Sequence, residues 1–119
     1  MDAELRAKIK YIDAHKSPYI LGYFVEVAYN RRDPETGGRE TYSFPYLFDT
    51  CMDAFKFAEQ QAKKDYKDER VRLRSDFGSL PYISVDSDIY WGTVATYNIW
   101  EYSQQDEDYY HILERTPNI

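Results

Sequence analysis

The sequence predicts an α+β fold: a mostly antiparallel sheet of about five strands, one principal helix packed on it, and a second helix at the N-terminus. Three observations lead there. Apolar residues recur every three or four positions over 51–69, the signature of a helix with one buried face. Several other stretches alternate with period two, the signature of half-buried strands. The strands come mostly as pairs joined by turn residues rather than by helices, which favours antiparallel pairing in the order α-ββ-α-β-ββ.

Each element has its own warrant. Over 2–15, Asp2 is placed to cap a helix, Leu5, Ile9 and Ile12 form a narrow stripe, and Ser17-Pro18 ends it. Over 19–30, Tyr23, Val25, Val27 and Tyr29 alternate with Phe24, Glu26, Ala28 and Asn30, as a strand requires. Residues 33–38 (Asp-Pro-Glu-Thr-Gly-Gly) make a turn, since Pro fixes φ and Gly supplies positive φ. The answering strand, 40–48, puts Tyr42, Phe44, Tyr46 and Phe48 on one face. Pro45 lacks an N–H, so this strand is expected at an edge or bent there.

The helix 51–69 buries Met52, Phe55, Ala58, Ala62 and Tyr66, with Thr50 and Asp53 at capping-box spacing and Asp49 as an alternative cap. In 70–77, Val71, Leu73 and Phe77 face one way and Arg70, Arg72 and Arg74 the other. Residues 78–88, with Pro81 and three serines, read as a loop holding at most a short strand at 82–85. Both alternating sets of 89–102 contain aromatics, so that strand is expected to be central, with Gly92 marking a bulge. Residues 104–108 read as an acidic turn, 109–115 as a final strand closing a hairpin, and 116–119 as a tail.

The length, 119 residues, suits one domain with one core. Mean hydropathy is low at −0.75. The aromatic fraction of 18 % nevertheless argues for a packed chain, since disordered segments are poor in such residues. The single cysteine, Cys51, cannot close an intramolecular disulfide, which suggests a reducing compartment. The charged first 16 residues contain no apolar leader segment, and no apolar run approaches the ~20 residues of a membrane helix. A soluble, cytoplasmic protein is expected, in the host cytoplasm if phage-encoded.

Charge is distributed unevenly. Residues 1–75 carry 14 Lys/Arg against 13 Asp/Glu, whereas 76–119 carry one, Arg115, against eight acids. The same 76–119 segment holds nine of the 21 aromatics. Asp86, Asp88, Asp106, Glu107 and Asp108 flank the long strand, with Tyr90, Trp91, Tyr102 and Tyr109 beside them. Carboxylates beside amphipathic rings suit contact with a basic protein surface, including one that ordinarily handles nucleic acid. The plainer reading is that the acids solvate loop tips and the rings fill the core.

Arg70, Arg72 and Arg74, extended by Lys63, Lys64 and Lys67, form the one basic row. Such a row can meet phosphates. The net charge of −6 opposes that, and the arginines are equally suited to neutralise neighbouring acids within the chain.

Catalytic and metal patterns are thin. His15 and His111 are far apart and neither neighbours Cys51, so no zinc spacing exists. Asp86-Ser87-Asp88 and Asp106-Glu107-Asp108 lack the rest of a calcium loop. Cys51 at a helix N-terminus, with His15 or His111 as base, would make a nucleophile, but a lone helical cysteine is more simply a small core residue. Glu26 and Glu40, across the first hairpin, would share a proton only inside a pocket. Asp76-Phe77-Gly78 matches a kinase tripeptide without the rest of that fold.

The expectation is a non-enzymatic, cofactor-free acidic protein that inhibits another macromolecule by occluding a basic surface. A phage or mobile-element inhibitor of a host defence nuclease, acting as a nucleic-acid mimic, fits by class-level analogy. An immunity or antitoxin-like protein and a nucleic-acid-binding module built on Arg70, Arg72 and Arg74 are the alternatives. Pairing of strand 40–48 across a two-fold axis would make a homodimer.

Overall fold

The computed structural model describes residues 1–32, 34–76, 80–88, 92–110 and 114–115. Within them the chain runs α1 (Ala3–Ala14), β1 (Ile20–Arg32), β2 (Arg39–Ser43), β3 (Tyr46–Leu47), α2 (Cys51–Asp65), β4 (Arg70–Arg74), β5 (Tyr82–Ser87), β6 (Gly92–Ser103), α3 (Gln104–Tyr110) and β7 (Glu114–Arg115). Five strands pair antiparallel in the order β2-β1-β6-β5-β4, giving the expected α+β architecture.

The helix starts follow from side-chain acceptors. Asp2 Oδ1 accepts the Leu5 N–H at 2.8 Å and opens α1. Thr50 Oγ1 accepts the Asp53 N–H at 3.1 Å and opens α2. A second cap comes from α1: the Asp13 carboxylate accepts the Cys51 and Met52 N–H groups at 2.7 and 3.1 Å. One carboxylate therefore serves two of the amides that a helix leaves without partners at its start. The end of α2 comes earlier than 69, because Tyr66 leaves helical geometry and its carbonyl accepts the Glu69 N–H, turning the chain into β4.

Alternation along the strands sorts the sheet into two faces. Tyr23, Val25 and Val27 of β1, Ile83 and Val85 of β5, and Ala95, Tyr97 and Ile99 of β6 join Leu5 and Ile9 of α1 and Ala54, Phe55, Ala58 and Ala62 of α2 in one core. The three alanines let α2 lie close to the sheet. On the opposite face stand Phe24 and Glu26 of β1, Ser84 and Asp86 of β5, and Asn98, Trp100 and Tyr102 of β6. On that side Glu107 of α3 bonds to Tyr102, and Leu47 of β3 lies against Gly22.

Three expectations need correction. Residues 40–48 form two strands: β2 at the sheet edge and β3 beyond Pro45. Phe44 donates to Val25 O at 2.9 Å and Phe48 exchanges two 2.8 Å bonds with Tyr23, so Pro45 sits in the bend between two anchored positions. That approach requires Gly22, where a Cβ would lie 2.5 Å from Phe48 O. The turn before β2 holds Gly37 at φ 73, as the turn residues implied.

The second correction concerns 82–87, where the short strand allowed at 82–85 is a full interior strand between β4 and β6. Its serines are small enough to lie under neighbouring long side chains, and Ser84 and Ser87 are both buried. The third concerns the C-terminal hairpin. Residues 104–110 are helical, so Tyr109 lies in α3, and Glu114–Arg115 pairs parallel with Tyr46–Leu47. The fifth strand of the sheet is thus 82–87. The expected positions of Phe77, Ile89 and the 116–119 tail lie outside the described residues. Among the described residues, no helix is long and apolar enough to cross a membrane.

Candidate functional site

The face of the sheet away from α2 is read directly from the strand register. One row runs Ser43, Glu26, Asn98, Tyr82, Arg74 across all five strands, and the next runs Thr41, Ala28, Thr96, Ser84, Arg72. Beyond the first row, Phe24 faces Trp100 across β1 and β6. Trp100 is 48 % exposed. Phe24 packs edge-on against Tyr102 with ring centroids 6.3 Å apart. The result is a polar surface with polar and small residues at its centre, an arginine margin on β4, and Phe24 and Trp100 toward the end that carries α3.

The arginine margin is internally matched. Arg72 Nε lies 3.0 Å and Arg74 3.9 Å from Asp86 Oδ2, and Arg70 pairs with Asp88. The Asp86 carboxylate also accepts the Thr93 hydroxyl at 2.9 Å, and its side chain is only 17 % exposed. Arg74 Nε donates to Ser84 Oγ at 3.2 Å. Register explains these contacts: Arg70 stands directly opposite Asp86, so the basic row and the first acidic pair meet across one ladder. Nearby, Tyr82 donates to Asp76 at 2.9 Å, and this bond to a carboxylate raises the Tyr82 phenol above its ordinary value.

The α3 end is built by a capping box. Ser103 N–H donates to Asp106 Oδ2 at 2.8 Å, while Asp106 N–H donates to Ser103 Oγ at 3.3 Å. Glu107 accepts the Tyr102 hydroxyl at 2.9 Å. Burial, with help from that bond, pushes the Tyr102 phenol up to about 12. Asp106 and Glu107 therefore hold α3 on the sheet as well as carrying charge.

The sequence-predicted site residues fall into two groups. Asp86 and Asp88 lie at the Gly92 end of β6, and Tyr102, Asp106 and Glu107 lie at the Ser103 end. At about 3.3 Å per residue, the length of β6 separates the groups by roughly 30 Å. The backbones of Asp108 and Tyr109 are in α3, with their side chains outside the described residues. Tyr90 and Trp91 lie outside them altogether. Trp100, Phe24 and Tyr82 were missed as site residues. Their signal was present, since all three occupy even positions opposite the buried odd-numbered set.

The other candidate groups resolve differently. Cys51 is fully buried, and burial pushes its thiol up to about 12, with Asp13 and Glu101 adding to the shift. It is a core residue. The His15 ring stacks on Tyr11 with centroids 4.0 Å apart and bonds to the Tyr11 carbonyl. Glu26 stands opposite Ser43, whereas Glu40 is held by Arg31 at 2.7 and 2.9 Å, so these two acids do not form a pair. His111 lies outside the described residues. No family model, curated protein or solved structure matches the chain significantly.

Proposed function

We propose that this chain is a non-enzymatic binding protein that docks on, and so blocks, a basic surface of another protein. The uncovered sheet face is its working surface. One observation carries the reading: Trp100, a side chain that proteins ordinarily cover, stands half exposed on the central strand β6, toward the α3 end of that face, beside Phe24 and close to the acidic helix α3. Tryptophan anchors with acidic neighbours are what a cationic partner would meet as a hot spot with a steering field. Asp86 and Asp88 contribute less to the attraction, because Arg70, Arg72 and Arg74 already match them. The attraction falls to the α3 end, and the net charge of −6 sets its sign over the whole molecule. Within this class, a phage or mobile-element inhibitor of a host defence nuclease suits the chemistry best, with carboxylates standing where phosphates would bind.

The experiment is affinity capture from the cell in which the chain acts, followed by titration of the captured partner with Trp100→Ala. Loss of a hot-spot tryptophan is worth ≥ ~2 kcal/mol, roughly a 30-fold weaker Kd. An unchanged Kd removes this face as the docking surface. A second reading has its own support: three arginines share the open face with Tyr82 and Trp100, the combination that stacks and neutralises single-stranded nucleic acid. A gel shift with single-stranded oligonucleotides at low salt tests it, and no shift at micromolar protein eliminates it.

A further inference from the structure

The sheet has two edges, β2 and β4, and their side chains differ in one decisive respect. On β4 the residues are Arg70, Val71, Arg72, Leu73 and Arg74. A second copy added antiparallel at this edge, centred on Arg72, would set Arg72 against Arg72 and Arg70 against Arg74. Like charges directly opposed across a ladder are destabilising, and such residues are how sheet edges are kept apart.

On β2 the same operation finds no conflict. The Phe44 N–H donates inward to Val25 O, so by alternation Tyr42 also turns its main chain toward β1. Arg39, Thr41 and Ser43 then turn theirs outward. Among the described residues, no strand pairs with that outer edge. A two-fold axis through Thr41 sets Thr41 against Thr41, Arg39 against Ser43 and Glu40 against Tyr42. No like charges meet, threonine pairs are favourable opposite one another, and the outward main-chain groups of residues 39, 41 and 43 exchange about six hydrogen bonds. Tyr42, 53 % exposed and packed edge-on against Phe44, gains cover on the helix side of the joined sheet.

We infer that two copies of this chain associate through β2, antiparallel about Thr41, into one continuous ten-stranded sheet. Their open faces then lie on the same side, presenting two Trp100 side chains to a partner. The paired segment is short, so the dimer belongs to the weak, transient class. The inference does not depend on what the open face binds.

Sedimentation equilibrium of the full chain from about 10 μM to about 1 mM tests it. The wild type is expected to move from 14.2 kDa toward twice that mass. Thr41→Arg, which opposes two arginines at the axis, is expected to weaken association at least tenfold. Thr41→Pro deletes an outward N–H that β1 does not use, and is expected to do the same. Arg72→Thr on β4 is expected to leave it unchanged. Far-UV dichroism verifies that each variant is folded. A wild type that stays at 14.2 kDa throughout, or a dimer indifferent to both Thr41 variants, overturns the inference.

Discussion

Replacing Asp13 by Ala should cost this protein more than any other single change to an exposed or half-buried acid. Asp13 sits near the end of α1, yet its carboxylate accepts the Cys51 and Met52 N–H groups of α2 at 2.7 and 3.1 Å. Hydrogen bonds to a charged group contribute about 1.5–3 kcal/mol each when well made. Loss of a cap costs about 1 kcal/mol, and the negative charge beside the positive end of the α2 dipole contributes a further ~0.3–1 kcal/mol. These terms overlap, and both amides can recover some water because Asp13 is only half buried. Thr50 still holds the Asp53 N–H. The net cost of Asp13→Ala is therefore about 2–3 kcal/mol. Asp13→Asn keeps one acceptor oxygen and loses the charge, for about 1–1.5 kcal/mol. Urea unfolding followed by dichroism reads both. With m of about 2 kcal/mol/M, the midpoint falls by about 1–1.5 M for Ala and about half that for Asn, with m unchanged. A cost below about 0.5 kcal/mol for Ala, or equal costs for the two variants, would refute the carboxylate as the link between α1 and α2.

Three further outcomes follow from the same geometry. Burial raises the phenols of Tyr23 and Tyr102 from 10.0 to about 12, and Tyr97 is raised in the same sense by burial and its 2.7 Å bond to Asp65. The folded state thus holds these protons more tightly than the unfolded chain. Their stabilisation is complete below pH 10 and is lost as pH rises toward 12, so Tm should fall across that window, and less steeply in Tyr97→Phe. The buried thiol of Cys51, raised to about 12, should resist a thiol reagent at pH 8 in the folded protein and react promptly in denaturant. Asp86→Asn releases Arg72 and Arg74, which are 43 % and 42 % exposed and can rehydrate, so stability should change by less than about 1 kcal/mol in a urea titration. If the same variant gains affinity for single-stranded oligonucleotides in a gel shift, the arginine margin is a masked phosphate site; if neither protein binds, that margin is structural.

The parts of the fold legible in the sequence were those set by local pattern. Leu5, Ile9, Phe55, Ala58 and Ala62 announced two helices, and Asp2 and Thr50 announced their starts, because stripe and cap both lie within a few residues. The alternation in 19–30 and 70–77 announced two strands for the same reason. Three features depended on contacts between distant residues and were not legible. Asp13 caps a helix 38 residues away. Residues 82–87 read as loop with a short strand at 82–85 because Pro81, Ser84 and Ser87 suit turns, and only the flanking strands make them a full interior element. The acidic platform looked continuous because its residues are close in sequence, but the register of β4 on β5 gives Asp86 and Asp88 to the arginines, and β6 holds the remainder at its far end. One miss was avoidable. Ser103 and Asp106 have the same spacing as Thr50 and Asp53, a capping-box signal for a helix. The turn reading of 104–108 passed over it.

The central claim is that the sheet face away from α2, with Trp100 toward its α3 end, is where a basic protein docks. A photo-crosslinking residue placed at position 100 tests this directly, with the same residue at Tyr11 on exposed α1 as the control. In cells where the chain is active, position 100 should capture a defined protein through a lysine- and arginine-rich surface, and position 11 should not. Capture from position 11 alone, or equally from both, would contradict the claim.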